Sequence, residues 1–98
     1  MVIIVITQFP LESAQKVAKR YLEAPEPPDY MHSKGPYFYA TVSGGVKSTA
    51  FYELDNSRIA EGMEYIRRHF ACYFGIPGYN FEIQLSLDID EGLQMIGM

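Results

Sequence analysis

The sequence predicts an α+β domain built in the order strand, helix, strand, strand, helix, strand. Two observations carry that prediction. Residues 37–42 and 46–54 are rich in aromatic and β-branched side chains and are separated by Ser43-Gly44-Gly45, a step suited to the positive φ angles of a tight hairpin. On each side of this hairpin lies one segment with helical apolar spacing and, beyond it, one more strand-like run.

The first strand covers residues 2–6, where Val2, Ile3, Ile4, Val5 and Ile6 are apolar without alternation, so both of its faces need cover. Pro10 is expected to open the first helix, since its missing N–H costs little in a first turn. Leu11, Ala14, Val17, Ala18, Tyr21 and Leu22 form one stripe of that helix, and charged residues fill the rest of its surface. Residues 24–36 contain Pro25, Pro27, Pro28, Gly35 and Pro36, which disfavour both helix and ladder, and are expected to form a long loop. Tyr30, Met31 and His32 in its middle are unusual for a solvated linker and suggest a lid.

In the hairpin, Phe38, Ala40 and Val42 share one face and Tyr37, Tyr39 and Thr41 the other. In the next strand Val46, Ser48, Ala50, Tyr52 and Leu54 alternate with Lys47, Thr49, Phe51 and Glu53. Asp55, Asn56 and Ser57 are N-cap candidates for a second helix, whose stripe is Ile59, Met63, Ile66, Phe70 and Tyr73 or Phe74. Gly62 on or beside that stripe suits close approach to the sheet, and Gly75-Ile76-Pro77-Gly78 ends the helix. The last strand alternates Phe81, Ile83, Leu85, Leu87 and Ile89 with Glu82, Gln84, Ser86 and Asp88, and residues 90–98 follow as an apolar tail.

A chain of 98 residues is one domain. At that size folding buries only about 60–65% of the unfolded surface, so further burial against a partner is favourable. The 8 basic and 12 acidic residues give a net charge of −4, which repels phosphate backbones and anionic lipid; neither nucleic acid nor membrane is an expected partner. A single cysteine, Cys72, forms no intrachain disulfide and suits the cytoplasm. Residues 2–6 are too short for a membrane span and lack the basic start of a secretion signal.

This element order is the ferredoxin-like split βαβ plan, a four-stranded antiparallel sheet with both helices on one face. The other face is open. Alternate residues of the doubly apolar first strand must lie on it, and a second copy stacked about a two-fold axis would cover them. In element order, in its Gly44-Gly45 hairpin and in that first strand, the chain resembles the dimeric α+β-barrel families, over roughly residues 2–89. These include small monooxygenases, haem-degrading enzymes and muconolactone isomerase-like proteins. The resemblance implies a homodimer and a pocket, either between sheet and helices or inside the barrel. No catalytic signature of those families is matched, so no catalytic residue is carried over.

Candidate chemistry lies on the polar side of the sheet. Tyr39, Thr41 and Gln84 are candidate ligand contacts, His32 joins them from the loop, and Glu53 and Glu82 are candidate proton acceptors. His69 and Cys72 stand one helical turn apart and with His32 resemble a metal triad, but the paired-cysteine loop of such carriers is missing, so no metal is expected. Cys72 reads better as a small hydrophobe than as a nucleophile. Asp88, Asp90, Glu91 and Gly92 fail the calcium-loop spacing, and residues 47–54 lack the aromatics of an RNA-binding strand. No cofactor motif occurs. The expected function is a small homodimer binding a partly apolar small molecule; the alternative is an interaction module without catalysis.

Overall fold

A computed structural model describes all 98 residues. The chain runs β1 (Val2–Pro10), α1 (Ala14–Glu23), β2 (Met31–Ala40), β3 (Gly45–Leu54), α2 (Ile59–Ala71), β4 (Asn80–Ser86) and α3 (Ile89–Met95). The strands form one antiparallel sheet in the order β2-β3-β1-β4, with β1 and β3 central as the split βαβ plan requires. The fold is therefore α+β and compatible with a ferredoxin-like arrangement, to which α3 is an addition. No helix is long and apolar enough to cross a membrane.

Register decides which residues share a face. On β1, Ile3 lies between Tyr52 and Leu85, Val5 between Ala50 and Ile83, and Thr7 between Ser48 and Phe81. This is the helix-covered face, and Ile3, Val5, Thr7 and Phe9 are all buried in it. From α2, Ile66, Phe70 and the following Tyr73 join the same core. Ile3, Val5 and Ile66 are completely buried, which contributes about 1.5–3 kcal/mol for each side chain. Gly62 marks the closest approach of α2: a Cβ there would collide with Leu54 Cδ1 and stand 3.1 Å from Met31 Cε.

The opposite face carries Val2, Ile4 and Ile6 of β1 with Phe51 and Thr49 of β3, all only half-buried. Around them lie His32, Lys34, Tyr37 and Tyr39 of β2 and Glu82 and Gln84 of β4. An apolar centre with a polar rim is thus left uncovered within one chain.

Several boundaries differ from the sequence reading, each for a local reason. Pro10 ends β1 instead of opening a helix, and Leu11–Ser13 forms a 3-10 turn before α1. The loop expected over 24–36 shortens to 24–30, because residues 31–34 pair with 51–54 and Met31 is buried. Glycine and proline interrupt that ladder only between Lys34 and Tyr37, where Gly35-Pro36 forms a bulge. Gly35 is obligatory there: its φ is +91°, and a Cβ would sit 2.9 Å from the Thr49 carbonyl oxygen.

The hairpin turn spans residues 41–44, so β2 stops at Ala40 and Val42 is fully exposed. Only Gly44 uses a positive φ; Thr41 N–H donates to Gly45 O at 2.9 Å. The last strand stops at Ser86, and the tail expected over 90–98 begins as helix, because Asp88 is an N-cap. Its carboxylate accepts from Glu91 N–H at 2.8 Å, and the Glu91 carboxylate accepts from Asp88 N–H at 3.1 Å. Glu91 also pairs with the Met1 ammonium at 3.0 Å and accepts from Asn56 Nδ2 at 2.7 Å, tying α3 to the start of β1. The Met1 ammonium first, then Asp88 N–H and Asn56, hold its carboxyl down at about 2.

Candidate functional site

A half-open chamber of about 430 Å³ lies between α1 and the covered face of the sheet, with α2 at one end. Its origin is a mismatch of side-chain size. Ala14 and Ala18 of α1 face Ala50 and Ser48 of β3 and Thr7 of β1, so small residues meet small residues across the layer. Native cores normally interdigitate large against small. Here α1 buries only Val17 completely, while Leu22 remains 82% exposed and Tyr21 45%. A second hollow of about 240 Å³ shares Tyr21, Leu22, Pro36, Tyr52 and His69 with the first and is rimmed by Pro25, Glu26 and Pro27. Together they form a chamber with a more polar mouth.

Aromatic rings make much of the wall. Tyr73 stacks on Tyr79 with centroids 4.8 Å apart and planes at 13°, Tyr79 stacks on Phe9 at 6.0 Å, and Phe70 lies 5.7 Å from Tyr73. Each such pair adds about 0.5–1.5 kcal/mol beyond area burial. No Asp, Glu, Lys or Arg lines the larger hollow.

The polar groups of the chamber are few and buried. Thr7 Oγ1 and Ser48 Oγ share a hydrogen bond across the β1–β3 pair. His69, 6% exposed, presents Nδ1 to the Pro25 carbonyl at 3.4 Å and Nε2 to the Tyr73 hydroxyl at 3.4 Å. The tautomer that satisfies both carries its proton on Nδ1 and accepts from Tyr73 on Nε2. Tyr65 donates to the same Pro25 carbonyl at 2.9 Å, so the proline-rich segment is pinned to α2 at the chamber mouth.

Burial lowers the pKa of His69, the Pro25 bond opposing only in part, and the ring is neutral at pH 7. Burial likewise raises the Tyr52 hydroxyl to about 12 and pushes Tyr65, Tyr73 and Tyr79 up as well. These phenols stay protonated and act as hydrogen-bonding groups, not as bases.

The residues singled out from sequence lie elsewhere. Tyr39, Gln84, His32, Glu53 and Glu82 all project from the open face, on the other side of the sheet from the chamber. His32 belongs to β2 and is the register partner of Glu53, so it forms no part of a lid. Gln84 Nε2 donates to Glu82 at 3.1 Å. Glu53 is opposite Val2 and Glu82 opposite Ile6, which separates the two carboxylates by roughly 16 Å, four residues along and two strands across. That exceeds the span over which two carboxylates act on one small group, about 5–10 Å. Thr41 is spent on the turn, its hydroxyl donating to Gly45 O at 3.0 Å. His32 and His69 lie on opposite faces of the sheet, and Cys72 caps the end of α2 with its thiol near the Arg68 carbonyl.

Thr7, Ser48, His69, Tyr73 and Tyr79 were thus missed as a set. The available signal was a hydroxyl residue at an inward position on each of two central strands, facing a helix whose inner stripe carries two alanines.

No family model matches the chain, and no curated protein matches it in sequence. Among solved structures, the de novo designed protein Foldit4 is similar with a TM-score of 0.55 over 89% of this chain and 97% of its own, at 15% identity. At that identity the likeness shows the fold alone.

Proposed function

We propose that this protein binds a small, mostly apolar molecule in the chamber beneath α1 and works as a homodimer in the cytoplasm. The chamber carries the first part: about 430 Å³ of apolar and aromatic wall with a few convergent hydroxyls matches the composition and size of small-molecule sites. A neutral fluorescent probe, N-phenyl-1-naphthylamine, tests it. Saturable binding of one probe per chain, weakened in Ala50→Leu, is expected. No binding, or equal binding by the variant, would remove the reading.

The open face supports the dimer. Placing a two-fold axis parallel to the strands, between β1 and β3, sets Ile4 of one protomer over Phe51 of the other and Ile6 over Thr49. The same operation puts Glu82 over Tyr37 and Gln84 over Lys34, with no like charges opposed. This is the stacking of a dimeric α+β barrel, the family resemblance noted above. Sedimentation is expected to give twice the chain mass, and Ile4→Asp a folded monomer, since burying the still exposed part of two half-buried Ile4 side chains contributes about 1.5–3 kcal/mol and a buried carboxylate would be penalised further. Lys19→Asp, on the outer face of α1, leaves the dimer intact. A monomeric wild type would defeat the dimer and leave the chamber reading standing. In that case the open face has another use, as in an interaction module without catalysis.

A further inference from the structure

We infer that the chamber takes a flat, neutral aromatic molecule bearing a hydrogen-bond acceptor, such as a ketone or quinone oxygen, seated on the Thr7–Ser48 hydroxyls. This rests on the reading of the chamber as a ligand site and narrows the class of ligand.

Three features of the wall carry it. The first is charge: the larger hollow has no ionised side chain, and its one titratable nitrogen base, His69, has both ring nitrogens engaged by Pro25 and Tyr73. A carboxylate or ammonium placed there would lose its water and gain no counter-ion, a penalty that a neutral molecule avoids. The second is shape. Tyr73 and Tyr79 are nearly parallel stacked rings, and Tyr52, Phe38 and Tyr21 complete a wall of ring faces and edges, against which a planar ring packs better than a puckered one.

The third is the count of protons on the floor. Thr7 Oγ1 and Ser48 Oγ bond one another, so two neutral hydroxyls lie paired on the floor. Two hydroxyls own two protons and use one in joining themselves. Whichever of the two donates to the other, one proton remains to be donated, from Thr7 or from Ser48, and both residues line the hollow. Every buried side-chain oxygen and nitrogen already has a partner, so the empty chamber carries no orphaned polar atom while still offering one donor. An acceptor on an otherwise apolar ligand matches that inventory.

The test is a matched panel titrated by calorimetry or NMR against the unmodified chain at pH 7: 2-acetylnaphthalene, naphthalene, 2-naphthoate and 2-acetyldecalin. 2-Acetylnaphthalene is expected to bind best, with naphthalene about two- to tenfold weaker for want of one hydrogen bond. The anion 2-naphthoate is expected to be weaker by about a hundredfold or more. The saturated ketone is expected to fall behind its aromatic counterpart. The double variant Thr7→Val/Ser48→Ala should bring 2-acetylnaphthalene down to the level of naphthalene and leave naphthalene unchanged, since either hydroxyl alone keeps a proton to donate. Equal binding of the anion or of the saturated ketone overturns the inference, as does an unaltered ketone preference in that double variant. Should N-phenyl-1-naphthylamine bind while the panel shows no such order, the chamber stands and only this inference falls; should neither bind, both fall.

Discussion

Ala50→Leu is a test of whether the space beneath α1 is real, and its sign decides. Ala50 sits on the covered face of β3, opposite Val5, is 5% exposed and lines the chamber. Leucine adds three carbons, which about 430 Å³ accommodates while leaving less room for a ligand. At about 0.8 kcal/mol per buried carbon the gain is at most about 2.4 kcal/mol. Ordering the new side chain costs about 0.5–1 kcal/mol, leaving roughly 1.5 kcal/mol of stabilisation. For a domain of this size that raises Tm by roughly 6–12 °C. Urea and thermal unfolding followed by circular dichroism read the change directly. The control is Ile66→Ala, in the filled part of the core, which should lose about 2–5 kcal/mol. Were α1 collapsed onto the sheet, leucine would overpack the site and destabilise by about 1–3 kcal/mol. A Tm that falls in Ala50→Leu therefore refutes the chamber and with it the size-mismatch argument.

Gly78→Ala should lose about 1–3 kcal/mol in urea unfolding, because φ is +75° and the new Cβ would lie 2.7 Å from the rigid ring of Pro10; a neutral result would mean that the β4 entry does not press on the end of β1. His69 has a folded pKa below its unfolded value of about 6.5, so the folded state binds fewer protons, and stability present above pH 6.5 is lost as pH falls below it. Thermal unfolding between pH 7.5 and 5 should accordingly show a smaller loss in His69→Phe than in the wild type; equal losses would show that the ring titrates as freely folded as unfolded. Asp88→Ala removes the N-cap of α3 and should cost about 1 kcal/mol, seen as lost hydrogen-exchange protection confined to residues 89–97, with the sheet amides unchanged.

Fold class was readable because it depends on local periodicity. The strict alternation of residues 46–54 and 81–86 and the double greasiness of Val2 to Ile6 assign strands and faces without any knowledge of neighbours, and the register bears out those faces. The segment around Met31 to Pro36 was opaque for a physical reason. Its prolines and glycine suppress a regular ladder, and only pairing with residues 51–54, some twenty residues away, outweighs that preference. The capping box at Asp88 and Glu91 was legible in its spacing, but Asp88 also continues the alternation of the last strand, and that pattern masked it.

The chain by itself determined an α+β order, a central strand apolar on both sides and a polar-rimmed open face, since each follows from side-chain periods of two and 3.6. Only tertiary structure decided that Ala14 and Ala18 fall opposite Thr7, Ser48 and Ala50. A void is a property of two surfaces at once, and no single segment records what its neighbour fails to fill.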